Sequence, residues 1–441
     1  MNKNTIYALS TVFGKSGVAV IRISGDQSLN VISNLTNIDT IKIKPRHTYF
    51  TDIINPKTKE ILDKSLVIYF NSPYSFTGED IVEIQCHGSK AVLNSVLNCL
   101  SKIEGVRLAE PGEFSKRAFY NNKMDLTEAE GLADLIDAET SEQQKYAIKQ
   151  MSGNLRNLYN SWRGDLVKIL SYLEAFIDFP EEDIPQNLYD EILNTVFKVK
   201  TDIVNHITNN NVNERLRNGF RIVLTGATNA GKSSLINSLT KRNAVIVSDI
   251  EGTTRDAIDI NLDIKGYPVI ITDTAGIRET NNPIEKQGIE IAKEKINEAD
   301  IVINIYDTTN SSPDAFLDKD KTIFVANKID KLSQSELDNI PHNHIKISAK
   351  HNQGIDALIE TIFNIIKDKF SNSSGPLITR ARYREALEDC LSNLDCFTLD
   401  KEIELSAEDI RLACRSIGKI TGVVEVDEIL NNIFGSFCIG K

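Results

Sequence analysis

The chain has 441 residues, 41% of them hydrophobic and 25% charged, with a formal net charge of -12; that length suggests roughly two to four domains of ordinary globular composition. The acidity argues against a surface that binds nucleic acid all round, and leaves room for a local basic patch or a basic partner. No apolar stretch approaches the roughly 18 to 20 residues of a membrane span, MNKNTIYALS lacks a signal-peptide layout, and six cysteines without a CxxC pair fit a reducing cytoplasm.

To about residue 120, short β-rich runs (GVAVIRIS, SLVIYF, DIVEIQC) alternate with Gly/Pro turns, which predicts a small α+β domain over 1–120. From MDLTEAEGLADLIDAETSEQQKYAIKQ the period changes. Leu126, Ala129, Leu132, Ala133 and Ile136 recur at threes and fours, so 121–216 is expected to be helical, with a break at FPEEDIP. FRIVLTGA then opens a strand. Strands and helices alternate through VIITDTAG, IVINIYD, TIFVANK and IKISAK, the pattern of a doubly wound, mostly parallel sheet over 217–372. SNSSGP reads as a linker, and 373–441 is helical again. The economical arrangement is an α/β domain inserted into a helical domain of two halves.

The inserted segment carries the chemistry. GATNAGKSS matches GxxxxGK[ST] at Gly226, Gly231, Lys232 and Ser233, between an apolar strand and a helix start. Glycines let successive N–H groups turn toward phosphate oxygens, and the helix start adds its positive end. Lys232 is expected to reach the β and γ phosphates, and the Ser233 hydroxyl to ligate Mg²⁺. Asp273 to Gly276 (DTAG) follow a strand, so Asp273 can hold Mg²⁺ through water and the Gly276 N–H can sense the γ-phosphate. Asn327 to Asp330 (NKID) follow another, and the Asp330 carboxylate can accept from guanine N1–H and its amine, an arrangement adenine lacks. Ser348 to Lys350 (SAK) come after the last strand, where N–H groups can meet guanine O6. Singly these are weak signals, but in this order on successive strand ends they define a G domain. Thr253 and Thr254 of SDIEGTTRD stand in the switch position, where a hydroxyl can complete the Mg²⁺ shell; Arg255 and Asp256 read equally well as solvated loop charges. Where Ras-like GTPases carry a water-orienting Gln, this chain has Ile277.

The motifs GVAVIRISG, FTGEDIVEIQCHG, PGEFSKRAFYNNKMDL, EAFIDFPEED, GATNAGKSSLIN, GTTRDAI, DTAGIRE and the terminal FCIGK resemble, essentially end to end, the MnmE (TrmE) family of tRNA modification GTPases. The resemblance implies a multidomain α/β and α fold: an N-terminal α+β folate-binding-like domain that dimerises, a discontinuous helical domain, and an inserted Ras-like doubly wound G domain. It implies a magnesium- and potassium-dependent GTPase that acts in the addition of a carboxymethylaminomethyl or aminomethyl type group to C5 of the tRNA wobble uridine. The implied partners are tRNA, a second copy in a homodimer, and the FAD-containing MnmG (GidA) protein, in the cytoplasm and without a membrane. A regulatory GTPase of ribosome assembly, without chemistry on RNA, is the alternative.

By the same resemblance the GTP contacts are Asn229, Ala230, Gly231, Lys232, Ser233 and Ser234; Ser248, Asp249, Ile250, Glu251, Gly252, Thr253 and Thr254; Asp273, Thr274, Ala275 and Gly276; Asn327, Lys328 and Asp330; and Ser348, Ala349 and Lys350. Ser233 and Thr254 match Mg²⁺ ligands. Asn229, Ser248, Ile250 and Thr253 match the ligands of a K⁺ ion that takes the place of an arginine finger, with Ser248 standing where the family usually has Thr. Glu285 occupies the water-positioning place, beside Thr254 in the catalytic set, and Arg278 is a weaker switch candidate. Arg22, Glu83, Lys123 and Lys441 match contacts to a 5-formyl-tetrahydrofolate-type carrier, and Cys438 would be delivered to that carrier by a mobile tail. Cys438 also reads as a small apolar residue beside Phe434 and Phe437. His87 in QCHGS reads as a turn residue or an acid–base group, and His342 with His344 does not make a metal site.

Overall fold

The computed structural model describes residues 4–179, 185–210, 214–242, 259–273, 294–313, 318, 320–371, 377–424 and 427–440. They fall into two compact units, Met1–Ala133 with Ile417–Lys441, and Asp134–Ser416. Among the described residues no helix is long and apolar enough to cross a membrane.

In the first unit, strands β1 (Thr5–Leu9), β2 (Ser16–Ser24), β3 (Thr48–Ile54), β4 (Ile61–Phe70), β5 (Ile81–Gly88) and β6 (Val106–Leu108) form one sheet in the order β3-β4-β5-β2-β1-β6. Every neighbouring pair is antiparallel except β1 with β6. Strand side chains alternate between faces. Ala19, Ile21 and Ile23 of β2 and Val82, Ile84 and Cys86 of β5 thus join one core with Val31, Ile32 and Leu35 of helix Ser28–Leu35 and Leu93, Val96 and Leu100 of helix Lys90–Leu100. Each such aliphatic side chain, once buried, contributes about 1.5 to 3 kcal/mol. The residues between them, Arg22 on β2 and Glu83 and Gln85 on β5, turn to the opposite face. There Ile6, Ala8, Ala109 and Phe114 make a second, smaller core with Phe76 packed against it.

The C-terminal helix Asp427–Gly435 falls in this unit. The reason is contact across the chain: Leu430, Phe434 and Phe437 share a core with Leu126 and Ala129, with Phe119 against them. Gly112 permits this approach, since a Cβ there would lie 2.3 Å from the Phe434 carbonyl oxygen.

In the second unit, Leu155, Tyr159, Trp162, Leu166, Ile169 and Leu173 make the buried stripe of helix Asn154–Asp178, and Ile192, Val196, Val199 and Ile203 that of Gln186–Thr208. The alternating spacing of four and three is that of a helix–helix seam. His206 lies in its aromatic part, 3.2 Å from the Tyr159 hydroxyl and edge-on to Trp162, and burial pushes its imidazole down to about 4. Strands β7 (Phe220–Thr225), β8 (Asp259–Ile264), β9 (Tyr267–Asp273), β10 (Ile301–Asp307), β11 (Thr322–Asn327) and β12 (Ile345–Lys346) form the second sheet, ordered β12-β11-β10-β7-β9-β8. It is parallel except for the β8–β9 pair. All seven residues of β10 are buried, as expected of a strand covered on both faces. Ile355, Leu358, Ile359, Ile362 and Ile366 of helix Ile355–Ser371 supply one of the covers.

Candidate functional site

The nucleotide motifs lie at the carboxyl ends of the parallel strands, where open α/β sheets bind ligands. The loop after β7 passes close against β10: a Cβ on Gly226 would sit 2.0 Å from the Ile305 carbonyl oxygen. The loop then turns through Asn229, a non-glycine residue at φ +62°, and enters helix Lys232–Arg242. Lys232 is 8% exposed, and its ammonium donates to the Gly226 carbonyl at 2.7 Å and the Ala227 carbonyl at 3.0 Å. A buried cation is thereby held over a ring of loop backbone. Ser233 and Ser234 are exposed on the first helical turn. Asp273 pairs in register with Leu224, next to the root of the loop. The Ser233 hydroxyl and the Asp273 carboxylate are oxygen donors of the kind that Mg²⁺ takes.

Asn327 ties the loops together. Its amide nitrogen donates to the Ala230 carbonyl at 2.7 Å and its amide oxygen accepts from the Ala349 N–H at 3.0 Å, both bonds buried. Ser238 of the loop helix adds a second tie, donating to the Ala349 carbonyl at 2.9 Å. Asp330 accepts from the Ser348 hydroxyl at 2.5 Å; that bond holds its carboxyl below the ordinary range and leaves it charged. Lys350 is exposed beside it.

Lys328 adopts a left-handed backbone, and its ammonium meets Asp307 at 2.6 Å. Burial opposes the charge on Asp307, but Lys328 and the N–H and hydroxyl of Thr309 outweigh it and bring the carboxyl to about 2. Sequence reasoning missed Asp307 and Ser238. A charge closing the apolar run IVINIYD was the available signal for Asp307, and nothing local marks Ser238.

In the first unit, Arg22 and Glu83 are directly opposed on β2 and β5 and pair at 2.9 Å. The guanidinium lies 5.4 Å from the Phe76 ring centroid and 5.8 Å from that of Phe114. A charged pair flanked by two aromatic rings fits a flat heteroaromatic group with a polar edge and an anionic tail. Lys123 runs along Gly78, its Cε 3.1 Å from where a Cβ would stand. Beside it, Glu79 accepts from Arg117 at 2.9 Å and from Ser24 at 2.7 Å, and Arg117 also bonds Glu113 at 3.0 Å. This network was not read from sequence either, although Glu113 and Arg117 stand four apart on one helix.

The tail before Lys441 makes contacts within this unit. Ile439 bridges to Pro111, and Ser10 donates to the Gly440 carbonyl at 3.0 Å. Gly440, at φ +102°, lies so close that a Cβ would fall 2.3 Å from the Leu9 carbonyl oxygen. Cys438 is exposed and free.

Two family patterns match the chain: "MnmE helical domain" over residues 126–438 and "GTP-binding protein TrmE N-terminus" over residues 5–123. The tRNA modification GTPase MnmE of Rickettsia akari (strain Hartford) is 47% identical over 446 residues, covering 99% of this chain and all of that protein. The chain belongs to the MnmE family. The same protein of Rickettsia rickettsii (strain Sheila Smith) is 47% identical over 447 residues, and that of Rickettsia prowazekii (strain Madrid E) 46% over 446, each with 99% of this chain and all of the other covered.

Of the MnmE-family positions expected from sequence, the structure brings together Ala230, Gly231, Lys232, Asn327, Asp330, Ser348 and Ala349 through direct bonds or close approach, with Asn229, Ser233, Ser234 and Asp273 on adjoining backbone. Ser248, Asp249, Ile250, Glu251, Gly252, Thr253, Thr254, Thr274, Ala275, Gly276, Glu285 and Lys441 lie outside the described residues.

Proposed function

We propose that the protein hydrolyses GTP to GDP and phosphate and uses that cycle in the modification of tRNA, in the cytoplasm. The observation that carries this reading is Asn327, which joins the phosphate loop to the SAK loop, with Asp330 held charged beside them by Ser348. Such a bracket gives the triphosphate and the base one shared binding frame, and its preorganisation lowers the ordering cost of binding. Lys232 and a Mg²⁺ ion held by Ser233 and Thr254 would face the phosphates. Asn229, Ser248, Ile250 and Thr253 would hold K⁺ in a paired state of two G domains, and Glu285 would position the attacking water. Each of these counters or orients charge that grows in phosphoryl transfer.

At the Arg22–Glu83 pair, the carboxylate would read the edge of a one-carbon folate, while Lys123 and Lys441 would meet its anionic tail. Cys438, carried by the docked tail, would lie at the same unit's folate face. The product would be a wobble uridine carrying an aminomethyl or carboxymethylaminomethyl type group at C5, made by a homodimer together with the FAD-containing MnmG protein. The test is nucleoside mass spectrometry of tRNA from a strain that lacks this chain, complemented with wild type or with Lys232→Ala. The modified wobble uridine should be lost on deletion, return with wild type, and stay absent with Lys232→Ala. Unchanged nucleosides on deletion would leave the ribosome-assembly reading in its place.

A further inference from the structure

The segment that links β4 to β5 is fastened by side chains that the folate reading leaves without a role. Within it, Thr77 shares a 2.7 Å bond with the hydroxyl of Ser24 on β2, and Ser24 donates to Glu79 at 2.7 Å; Ser24 and Thr77 are fully buried. Arg117, only 4% exposed, donates to the two oxygens of Glu79 at 3.2 Å and 2.9 Å. Its other terminal nitrogen donates to the Asn4 carbonyl at 2.8 Å and to Glu113 at 3.0 Å. Asn121 closes the arrangement by donating to the Thr77 carbonyl at 2.6 Å. A guanidinium out of water is stable only where carboxylates and carbonyls receive it in good geometry, which fixes where Glu79 can stand.

Strand register sets this network next to the Arg22–Glu83 pair. Arg22 opposes Ala8 and Glu83, and Ser24 opposes Ile6 and Ile81, with no register break between them. Ser24 therefore shares the face of Arg22, about 7 Å further along β2. Direct contacts join the two. The ring of Phe76, the residue before Thr77, lies 5.4 Å from the Arg22 guanidinium. Helix Glu113–Tyr120 brings the Phe114 ring to 5.8 Å from the same group and, one turn later, Arg117 to Glu79. Gly78, at φ +79°, carries the stem of Lys123: a Cβ there would lie 3.1 Å from Lys123 Cε and 3.4 Å from its Cγ. The stretch 76–79 thus touches Arg22 at one end and Lys123 at the other.

We infer that Arg117 and Glu79 are positioning residues of the folate site; the inference rests on the folate reading proposed above. Both act through other residues and not by touching the carrier. Their ion pair fixes the 76–79 stretch, and that stretch sets the gap between the Arg22–Glu83 pair, which reads the flat ring, and Lys123, which meets the anionic tail. A lysine is a point charge on a flexible stem, and ordering that stem on binding is costly. Resting the stem on Gly78 removes part of the cost before the carrier arrives. The site so built favours a carrier whose ring and negative charge lie a set distance apart.

Calorimetric titration of the full chain with 5-formyl-tetrahydrofolate tests this through coupling to Lys123. Lys123→Ala alone should weaken binding about tenfold, as loss of a hydrogen bond to a charged group does. Arg117→Met and Glu79→Ala should each weaken it at least about tenfold, with GTP turnover within about threefold of wild type. In either background Lys123→Ala should then cost no more than about twofold, because its stem is no longer held. Glu79→Gln, whose amide oxygen still accepts from Arg117, should stay within about threefold of wild type. Arg117 keeps Glu113 in Glu79→Ala, so that variant carries the test even if Arg117→Met does not fold. Wild-type affinity in Glu79→Ala overturns the inference. So does a full tenfold loss from Lys123→Ala in the Glu79→Ala background, or GTP turnover that falls in step with folate affinity. A wild-type chain that does not bind the folate, or that binds it equally well as Lys123→Ala, strikes the folate reading itself.

Discussion

At the scale of single residues, the nucleotide site depends on a side chain that makes its contacts within the protein. Asn327 spends both ends of its amide on buried backbone, Ala230 on one side and Ala349 on the other. Removing it leaves two buried polar groups without partners, at about 1 to 3 kcal/mol each. Gly231 stands against the same amide: at φ +103°, a Cβ there would come within 2.1 Å of Asn327 Nδ2. Gly231→Ala is therefore expected to displace Asn327 as well as strain its own backbone. The two substitutions should not add. Asn327→Ala and Gly231→Ala should each weaken GTP binding at least about tenfold, and the double variant should fall well short of the product of the two. Calorimetric titration of the three variants measures this. A double variant weakened by the full product would show the residues to act independently.

At the scale of elements, the helical seam carries its own pH dependence. The imidazole of His206 is lowered by burial from 6.5 to about 4. Above pH 6.5 it is neutral folded and unfolded, so its contribution to stability is fully present. As the pH falls, the unfolded chain takes up a proton first, and the contribution is lost progressively between about pH 6.5 and 4. Through this group alone the seam should be less stable at pH 5 than at pH 8 by about 2 kcal/mol. The chain has one tryptophan, and Trp162 lies 5.5 Å from the His206 ring, so urea unfolding followed by its fluorescence reports on this seam. His206→Gln, which keeps a partner for Tyr159, should remove most of the difference; an equal fall in both proteins would assign the pH dependence elsewhere.

Periodicity made the elements of both units legible because a half-buried strand or helix must repeat its apolar residues at two or 3.6. It could not say that helix Asp427–Gly435 packs against Phe119, because that contact joins segments three hundred residues apart whose stripes look alike. The site was legible for a similar reason and to a similar limit. The phosphate loop and NKID are local patterns, whereas Ser238 and the Arg117 network act through partners far along the chain.

At the scale of the whole molecule, the catalytic proposal requires two acidic chains to meet. Each carries a formal charge of -12, so association is opposed by a repulsion that any salt screens within about 10 Å. A rise in turnover with added KCl therefore has two candidate causes, general screening and a specific cation site. Replacing K⁺ by Na⁺ at constant ionic strength separates them, since both screen equally. Asn229 is the described residue expected to hold the ion: its left-handed backbone, at φ +62°, lies on the phosphate loop itself. A cation held there would supply the positive charge of an arginine finger, which in related chemistry is worth a factor of 10³ to 10⁵. GTP turnover per chain should rise with protein concentration in K⁺, and fall at least about tenfold in Na⁺. Asn229→Ala should lose most of the difference between the two salts. Equal turnover in the two salts would remove the ion from the mechanism and leave screening as the whole effect of salt.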